Sequence, residues 1–468
     1  MNIIFRKIPL CKEIQWINPF DAFILLKADS PSFLLESQRG STKTSRYSFI
    51  GIYPKKIMVS KNNETTVFCN GIIESYKGNP LEIIRQYIRK RRIENINGLP
   101  PFIGGAVGYF GYNIVNLFEE IPNSTHDDLK LPDIVLMIAD VTVVFDHSEK
   151  RVWIIAVPDE DGQNIHDYND RIESIEQRIK KGGDIIYKGR CGLKMKIVSN
   201  LTKKEYVEIV KQCKEYISAG DIFQANLSQR LSTPVKGVDP LMIYRILREV
   251  NPSPFAAFID TGDMQIVSAS PERLVRLKNG LVETRPIAGT RPRGKDNIEN
   301  GMLREELLNN AKERAEHIML VDLERNDLGR VCRYGSIMVD EFMNLESYSH
   351  VTHIVSNIKG ELEPGRDAID LLKAVFPGGT ITGVPKIRCM EIIDELEPTA
   401  RGPYTGSIGY ISYTGDMDLN IIIRTFIIKD GWAHVQVGAG IVADSDPEKE
   451  YQETLYKAEA LLKTLELL

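Results

Sequence analysis

The chain has 468 residues, enough for two or three average domains or one large one, and its 43% hydrophobic, 26% charged and 8% aromatic content is that of a folded globular protein. Those figures exclude a small stapled module and a mainly disordered chain. Sixty-four acidic against 59 basic side chains leave a net charge of -5 with no dense Lys/Arg block, which excludes the electrostatic footprint of a nucleic-acid binder.

In chain order, residues 1–180 read as strand-rich, with short apolar runs at 22–26, 135–145 and 152–157 and one helix near 80–92. The basic, glycine-bearing stretch 180–196 lacks apolar periodicity and is expected to mark a subdomain boundary or a surface excursion. Thr202 followed by Glu205 is a capping box, and Tyr206, Val210, Cys213 and Ile217 mark one helical face, which predicts a helix over 203–219 that stops at Gly220. Strands at 223–232, 255–259 and 281–286 then alternate with helices at 300–323, 367–375 and 387–396, and 447–468 closes the chain as a helix. The pattern predicts an α+β fold.

Six scattered cysteines fall into neither CxxC nor a zinc spacing, so they read as free thiols in a reducing compartment. Residues 1–12 lack the apolar stretch of a signal peptide, and the window 134–145 is short and interrupted by Asp140. The expectation is a cytoplasmic protein with no membrane partner.

Four features carry chemistry. The segment Phe376-Pro-Gly-Gly-Thr-Ile-Thr-Gly-Val-Pro-Lys386 is a glycine-rich loop that opens a helix, where oriented N–H groups suit a carboxylate or phosphate, or simply a tight turn; it is not a nucleotide P-loop. Gly438-Ala-Gly440, after a strand-like run, reads as a second close-approach loop. Glu450, Glu453 and Lys457 share one stripe of the last helix, and Glu313 and Glu316 sit on another; such stripes are more often solvated faces, but two helices that each supply a carboxylate would suit Mg2+. His350 and His353 are three apart, with a structural role as the default. The chain has neither a Gly-x-Cys-x-Gly nor a Gly-x-Ser-x-Gly elbow, so no covalent hydrolase nucleophile of those types is visible. The residues by themselves reach an anion-binding, Mg-assisted α+β enzyme.

Several motifs occur in a fixed order: Gly220-Asp-Ile-Phe-Gln-Ala-Asn-Leu-Ser-Gln-Arg230, Ser270-Pro-Glu-Arg273, Glu283-Thr-Arg-Pro-Ile-Ala-Gly-Thr-Arg-Pro-Arg-Gly294, Glu316-His-Ile-Met-Leu-Val-Asp-Leu-Glu-Arg-Asn-Asp327 and Tyr348-Ser-His-Val-Thr-His353. With the 376–386 loop, Tyr404, Arg424 and Gly438 to Gly440, they resemble the chorismate-utilising enzymes over most of residues 200–460. Leu34-Leu-Glu-Ser37 and Arg46-Tyr-Ser-Phe-Ile-Gly51 extend the resemblance to the large subunits of aminodeoxychorismate and anthranilate synthases.

The resemblance implies a large two-subdomain, β-sandwich-like core with flanking helices. Residues 1–180 would form an N-terminal subdomain and 200–465 a chorismate-binding catalytic domain. It implies Mg2+ on Glu316 and Glu453, the enolpyruvyl carboxylate on Tyr404 and Arg424, and the ring carboxylate in a cradle formed by Gly438, Ala439 and Gly440. Further chorismate contacts fall to Gly289 and Thr290, catalytic roles to Glu272, His353 and Lys457, and a tryptophan site to Ser37, Pro254 and Phe255.

Isochorismate and salicylate synthases of this family carry a water-activating lysine where this chain has Gln224, so ammonia chemistry is expected. Ammonia would come from a separate glutamine amidotransferase subunit in a heterodimer. Replacement of the C4 hydroxyl gives 4-amino-4-deoxychorismate, the precursor of p-aminobenzoate and folate; attack at C2 with loss of pyruvate gives anthranilate. Ala225-Asn-Leu-Ser-Gln, Asp322-Leu-Glu-Arg-Asn-Asp327 and Phe376-Pro-Gly-Gly-Thr-Ile-Thr-Gly resemble the first branch. Ala288 stands where many members of that branch carry a nucleophilic lysine, a departure shared with anthranilate synthases. A third reading is a non-catalytic sensor that binds an aromatic amino acid.

Overall fold

The computed structural model describes residues 8–27, 31–38, 45–158, 165–183, 196–294, 296–347 and 351–468. Most of the expected boundary stretch, Cys191 and His350 lie outside them. Two twelve-stranded antiparallel sheets, flanked by helices, make the architecture α+β, as expected.

Each sheet draws strands from both ends of the chain. In the first, Ser32–Glu36 pairs with Phe255–Asp260 in the register Leu34↔Phe258, which joins five strands from the first 160 residues to a run that ends Thr425–Lys429, Trp432–Ile441, Gln224–Pro234 and Val198–Ser199. In the second, Gly105–Phe110 pairs with Ser407–Ser412 in the register Gly108↔Gly409. The sheets face each other across a core that includes Phe49, Phe102 and Tyr410, whose ring centroids lie 4.8 to 5.4 Å apart. Rings at this spacing add edge and offset contacts to the burial of their area.

The outer face of the first sheet is covered by Pro19–Leu26, Ile165–Lys181, Pro240–Val250 and Pro447–Glu466, and the far end by Lys203–Ala219 and Lys386–Leu396. The helix Lys203–Ala219 is capped as the sequence predicts: Thr202 and Glu205 form both halves of the box, and Gly220 ends it at φ 85°. A left-handed residue is where glycine costs least.

Four expectations are corrected. Residues 22–26 are helical, not a strand, because Asn18 caps the helix by accepting from Phe20 N at 2.9 Å and Pro19 occupies its first turn. The 135–145 run is a hairpin of Ile134–Ala139 and Val141–Asp146. Asp140 makes the corner, held inside by Arg91 and by the Tyr413 hydroxyl at 2.8 Å. The single helix over 300–323 is two, Asn297–Asn309 and Ala311–Gly329, because the Asn310 side chain accepts from Glu313 N and caps the second. Gly438 to Gly440 form no loop; they continue the strand Trp432–Ile441.

Candidate active site

The site lies where the helices Ala311–Gly329 and Pro447–Glu466 approach the strands Gln224–Pro234 and Trp432–Ile441. These two strands pair with Asn226↔Gly440 and Ser228↔Gly438. A methyl at position 438 would stand 2.4 Å from Asn226 Oδ1 and 2.8 Å from the Tyr404 hydroxyl, and one at 440 would stand 2.7 Å from Gln224 Nε2. Glycine is required by close approach, which is the part of the sequence reading that holds; the loop is not.

Beyond Gln436 the glycine strand outruns its other neighbour, Thr425–Lys429. On that side the Gly438 carbonyl accepts from Lys457 Nζ at 2.9 Å. A strand residue points its N–H and C=O to the same side, and the sides alternate, so the N–H groups of Gly438 and Gly440 face the site and not a strand. Ala439 is buried against Leu227.

Lys457 Nζ also pairs with Glu453 Oε1 at 2.8 Å, one turn back on the same helix. Arg424 Nη1 donates to the Lys457 carbonyl, and Arg424 itself sits at φ 53°, an unfavourable left-handed backbone for a side chain of this size. Tyr404, beside Gly438, is buried, and burial pushes its hydroxyl above the usual tyrosine value. Arg424, Tyr404 and the glycine amides therefore offer a guanidinium, a hydroxyl and N–H donors to a dianion.

Glu272 follows the strand Met264–Ser270, with 7% exposure. Burial pushes its carboxyl up to about 7, opposed by a 2.8 Å bond from Thr380 Oγ1 and by the charge of Lys457. An acid poised there can give and take a proton near neutral pH. His353, on Val351–Glu361, contacts Gly289 O at 3.1 Å and Thr290 Oγ1 at 3.0 Å through Nδ1. Burial holds its imidazole below the ordinary value, and Arg424 adds to this. Gly289 is the bulge residue at φ 60°, and a methyl there would stand 2.9 Å from Glu313 Oε2.

Tyr404, Arg424, Glu453 and Lys457 thus gather at the glycine strand, with Glu272 and His353 within the electrostatic reach of Lys457 and Arg424. Glu316 and Glu450 are pushed up chiefly by burial, and neighbouring carboxylates, Glu313 and Glu453 among them, add to this. Among the described residues no three His, Cys, Asp or Glu side chains gather to hold an ion by themselves. Mg2+ needs no such cage: it takes one or two carboxylates and fills its octahedron with water and substrate oxygens. An oxygen-only donor set with excess negative charge fits that ion.

Three residues of consequence were not singled out from sequence. Glu324, whose carboxyl is pushed to about 8 by burial and by the nearby charges of Glu272 and Asp327, bonds Thr284. Asp327 is held by Lys386, the last residue of the 376–386 segment and the first of a helix. Asn226 stands over Gly438. Only their places within longer motifs pointed to them, Asn226 in the 220–230 run and Glu324 and Asp327 in the 316–327 run.

A separate cavity of about 470 Å3 opens between the two sheets, lined by Ser37, Pro254 and Phe255 together with Phe49 and Tyr410. Ser37 Oγ donates to the Pro254 carbonyl at 3.2 Å, so the expected amino-acid site residues are neighbours. Side chains of both signs, including Arg276 and Glu283, complete the wall.

Residues 30–463 match the family described as chorismate binding enzyme. The chain belongs to that family. It is 44% identical to anthranilate synthase component 1 of Acetivibrio thermocellus, over 99% of this chain and 96% of that protein. It is also 44% identical to aminodeoxychorismate synthase component 1 of Bacillus subtilis, over 99% and 97%. The crystal structure of anthranilate synthase component I from Streptococcus pneumoniae superimposes with a TM-score of 0.80 at 36% identity, covering 95% of this chain and 97% of that one. This chorismate-binding chain thus has relatives of both names at equal identity. No described helix is long and apolar enough to cross a membrane.

Proposed function

We propose that this chorismate-binding enzyme is the large component of an aminodeoxychorismate synthase. It replaces the C4 hydroxyl of chorismate with ammonia and retains the enolpyruvyl group. One observation carries this reading. Asn226 and Glu324, from two of the motifs that resemble the aminodeoxychorismate branch, lie at the site itself, Asn226 buried over Gly438 and Glu324 half-buried within the electrostatic reach of Glu272. Residues that differ between branches matter most where they meet the chemistry.

Arg424 and Tyr404 hold the enolpyruvyl carboxylate, and the Gly438 and Gly440 amides hold the ring carboxylate. Mg2+ on Glu316 and Glu453 would take up charge that develops at that carboxylate. Glu272 gives its proton to the departing C4 oxygen, which leaves as water, and recovers one from the new C–N centre. Chorismate and ammonia go to aminodeoxychorismate and water with Glu272 unchanged. Lys457 holds the Gly438 carbonyl and Glu453 in place, and His353 holds the Gly289 bulge. Nitrogen comes from a glutamine amidotransferase partner in the cytoplasm, since the sequence has no cysteine elbow of its own.

A second reading, anthranilate synthase, has one observation in its favour. Ala288 is buried opposite Ile354, and its methyl can form no covalent adduct with the ring. Expression in two auxotrophs, each lacking one large component and supplied with ammonium, separates the readings. Rescue of the p-aminobenzoate requirement is expected; rescue of the tryptophan requirement alone would overturn the proposal.

A further inference from the structure

Glu272, the acid that gives its proton to the departing oxygen, has a second carboxyl behind it. Several contacts bring Glu324 to that place. Thr380, which donates to Glu272 Oε1, follows Gly379, and Gly379 packs so closely on the helix Ala311–Gly329 that a methyl there would stand 2.2 Å from Leu323 Cδ2, one residue before Glu324. Thr284, the partner of Glu324, donates at 2.9 Å to the carbonyl of Leu274, two residues beyond Glu272. Ile421 donates its N–H to the Glu272 carbonyl at 3.0 Å and, with Thr284, Glu324 and Gly379, walls a void of about 10 Å3.

The cations that face this pair are engaged elsewhere. Lys386 acts on Glu324 but is held by Asp327, one turn on in the same helix, and Lys457 acts on Glu272 but is held by Glu453. Two carboxyls in one poorly solvated place resist being charged together, so they lose their protons in two steps that belong to the pair. Burial pushes Glu272 up to about 7 and Glu324 to about 8, and the charge of Glu272 is among the causes at Glu324.

We propose that Glu324 is a positioning residue for the proton transfer: by ionising in place of Glu272 it keeps the transferable proton on Glu272 as pH rises, and so extends amination to alkaline pH, where more of the ammonia is unprotonated. The proposal rests on the reading of Glu272 as the proton-giving acid. In the singly protonated pair the proton sits on either carboxyl, and only the form with Glu272 protonated reacts. Glu324 acts through the charge it takes, not by contact with the substrate.

The test uses the full chain with chorismate, Mg2+ and ammonium, and compares the turnover of Glu324→Gln with that of wild type from pH 6 to 9. Ammonium is matched at each pH, so the supply of ammonia cancels in the ratio. With a coupling of about one pH unit, the ratio of variant to wild type is expected to be level up to pH 6.5 and about tenfold lower by pH 9. The chorismate dissociation constant is expected to be unchanged. A merely structural role would lower the ratio equally at every pH, and a ratio level across the whole range would overturn the proposal. Infrared titration of the protonated carboxyls is the second arm and needs only wild type and Glu272→Gln. Loss of the Glu272 charge is expected to bring the Glu324 titration down by about one pH unit. An unmoved Glu324 titration would overturn the proposal even if Glu324→Gln does not fold. Failure of the underlying reading is distinct: Glu272→Gln would then turn over chorismate as fast as wild type.

Discussion

A hydroxyl carries one hydrogen, and Thr284 touches two acceptors. Its Oγ1 lies 2.9 Å from the Leu274 carbonyl, which can only accept, and makes a short contact with Glu324 Oε2. One of the two hydrogens must come from the Glu324 carboxyl, so Glu324 is a neutral acid. This count agrees with a carboxyl pushed to about 8. The sign follows by linkage: the unfolded chain loses this proton near 4.5 and the folded chain keeps it to about 8, so its contribution to stability is full below 4.5 and falls as pH rises through that window. The scale is on the order of 5 kcal/mol, at ~1.4 kcal/mol per pH unit. Glu324→Gln keeps a donor to Thr284 and cannot ionise. Its melting temperature is expected to fall less than that of wild type between pH 5 and 8 in a thermal-shift series; parallel curves would contradict a proton held by Glu324. Glu324 escaped the sequence reading because a carboxylate on a helix defaults to the solvated face, and nothing local shows that this one is turned inward.

Helix ends were legible where the cap was complete, as at Thr202 and Glu205, and misread where one signal stood alone. Asn18-Pro19 and Asn310 both mark helix starts, yet the apolar runs beside them suggested a strand in one case and an unbroken helix in the other. The carboxylate stripes were legible as spacing, but the nearness of Glu316 to Glu453 was not, since Ala311–Gly329 packs on strands of the second sheet and Pro447–Glu466 on the first. That nearness has a measurable consequence. Removing the last helix's carboxylate in Glu453→Ala is expected to raise the Mg2+ concentration for half-maximal turnover by about tenfold or more, the range seen when groups at metal sites are changed. Wild-type turnover by this variant at limiting Mg2+ would contradict the assignment of Glu453.

The interleaving of both sheets was hidden from the sequence, because strand pairing between residues some 200 or 300 positions apart leaves no local trace. It places the cavity at Ser37 and Phe255 between the sheets, with walls drawn from both. A ligand there binds only the assembled molecule, so tryptophan at 100 times its dissociation constant is expected to stabilise the fold by about 2.7 kcal/mol. Calorimetry with tryptophan, and with phenylalanine for comparison, measures this; no shift with tryptophan would leave the cavity without its expected ligand. The chemistry at the glycine strand is tested most directly by mass spectrometry of the product formed from chorismate, Mg2+ and 15N-ammonium by the purified chain. The expected product is 4-amino-4-deoxychorismate, carrying one 15N and the intact enolpyruvyl group; 15N-anthranilate with an equivalent of pyruvate would contradict it.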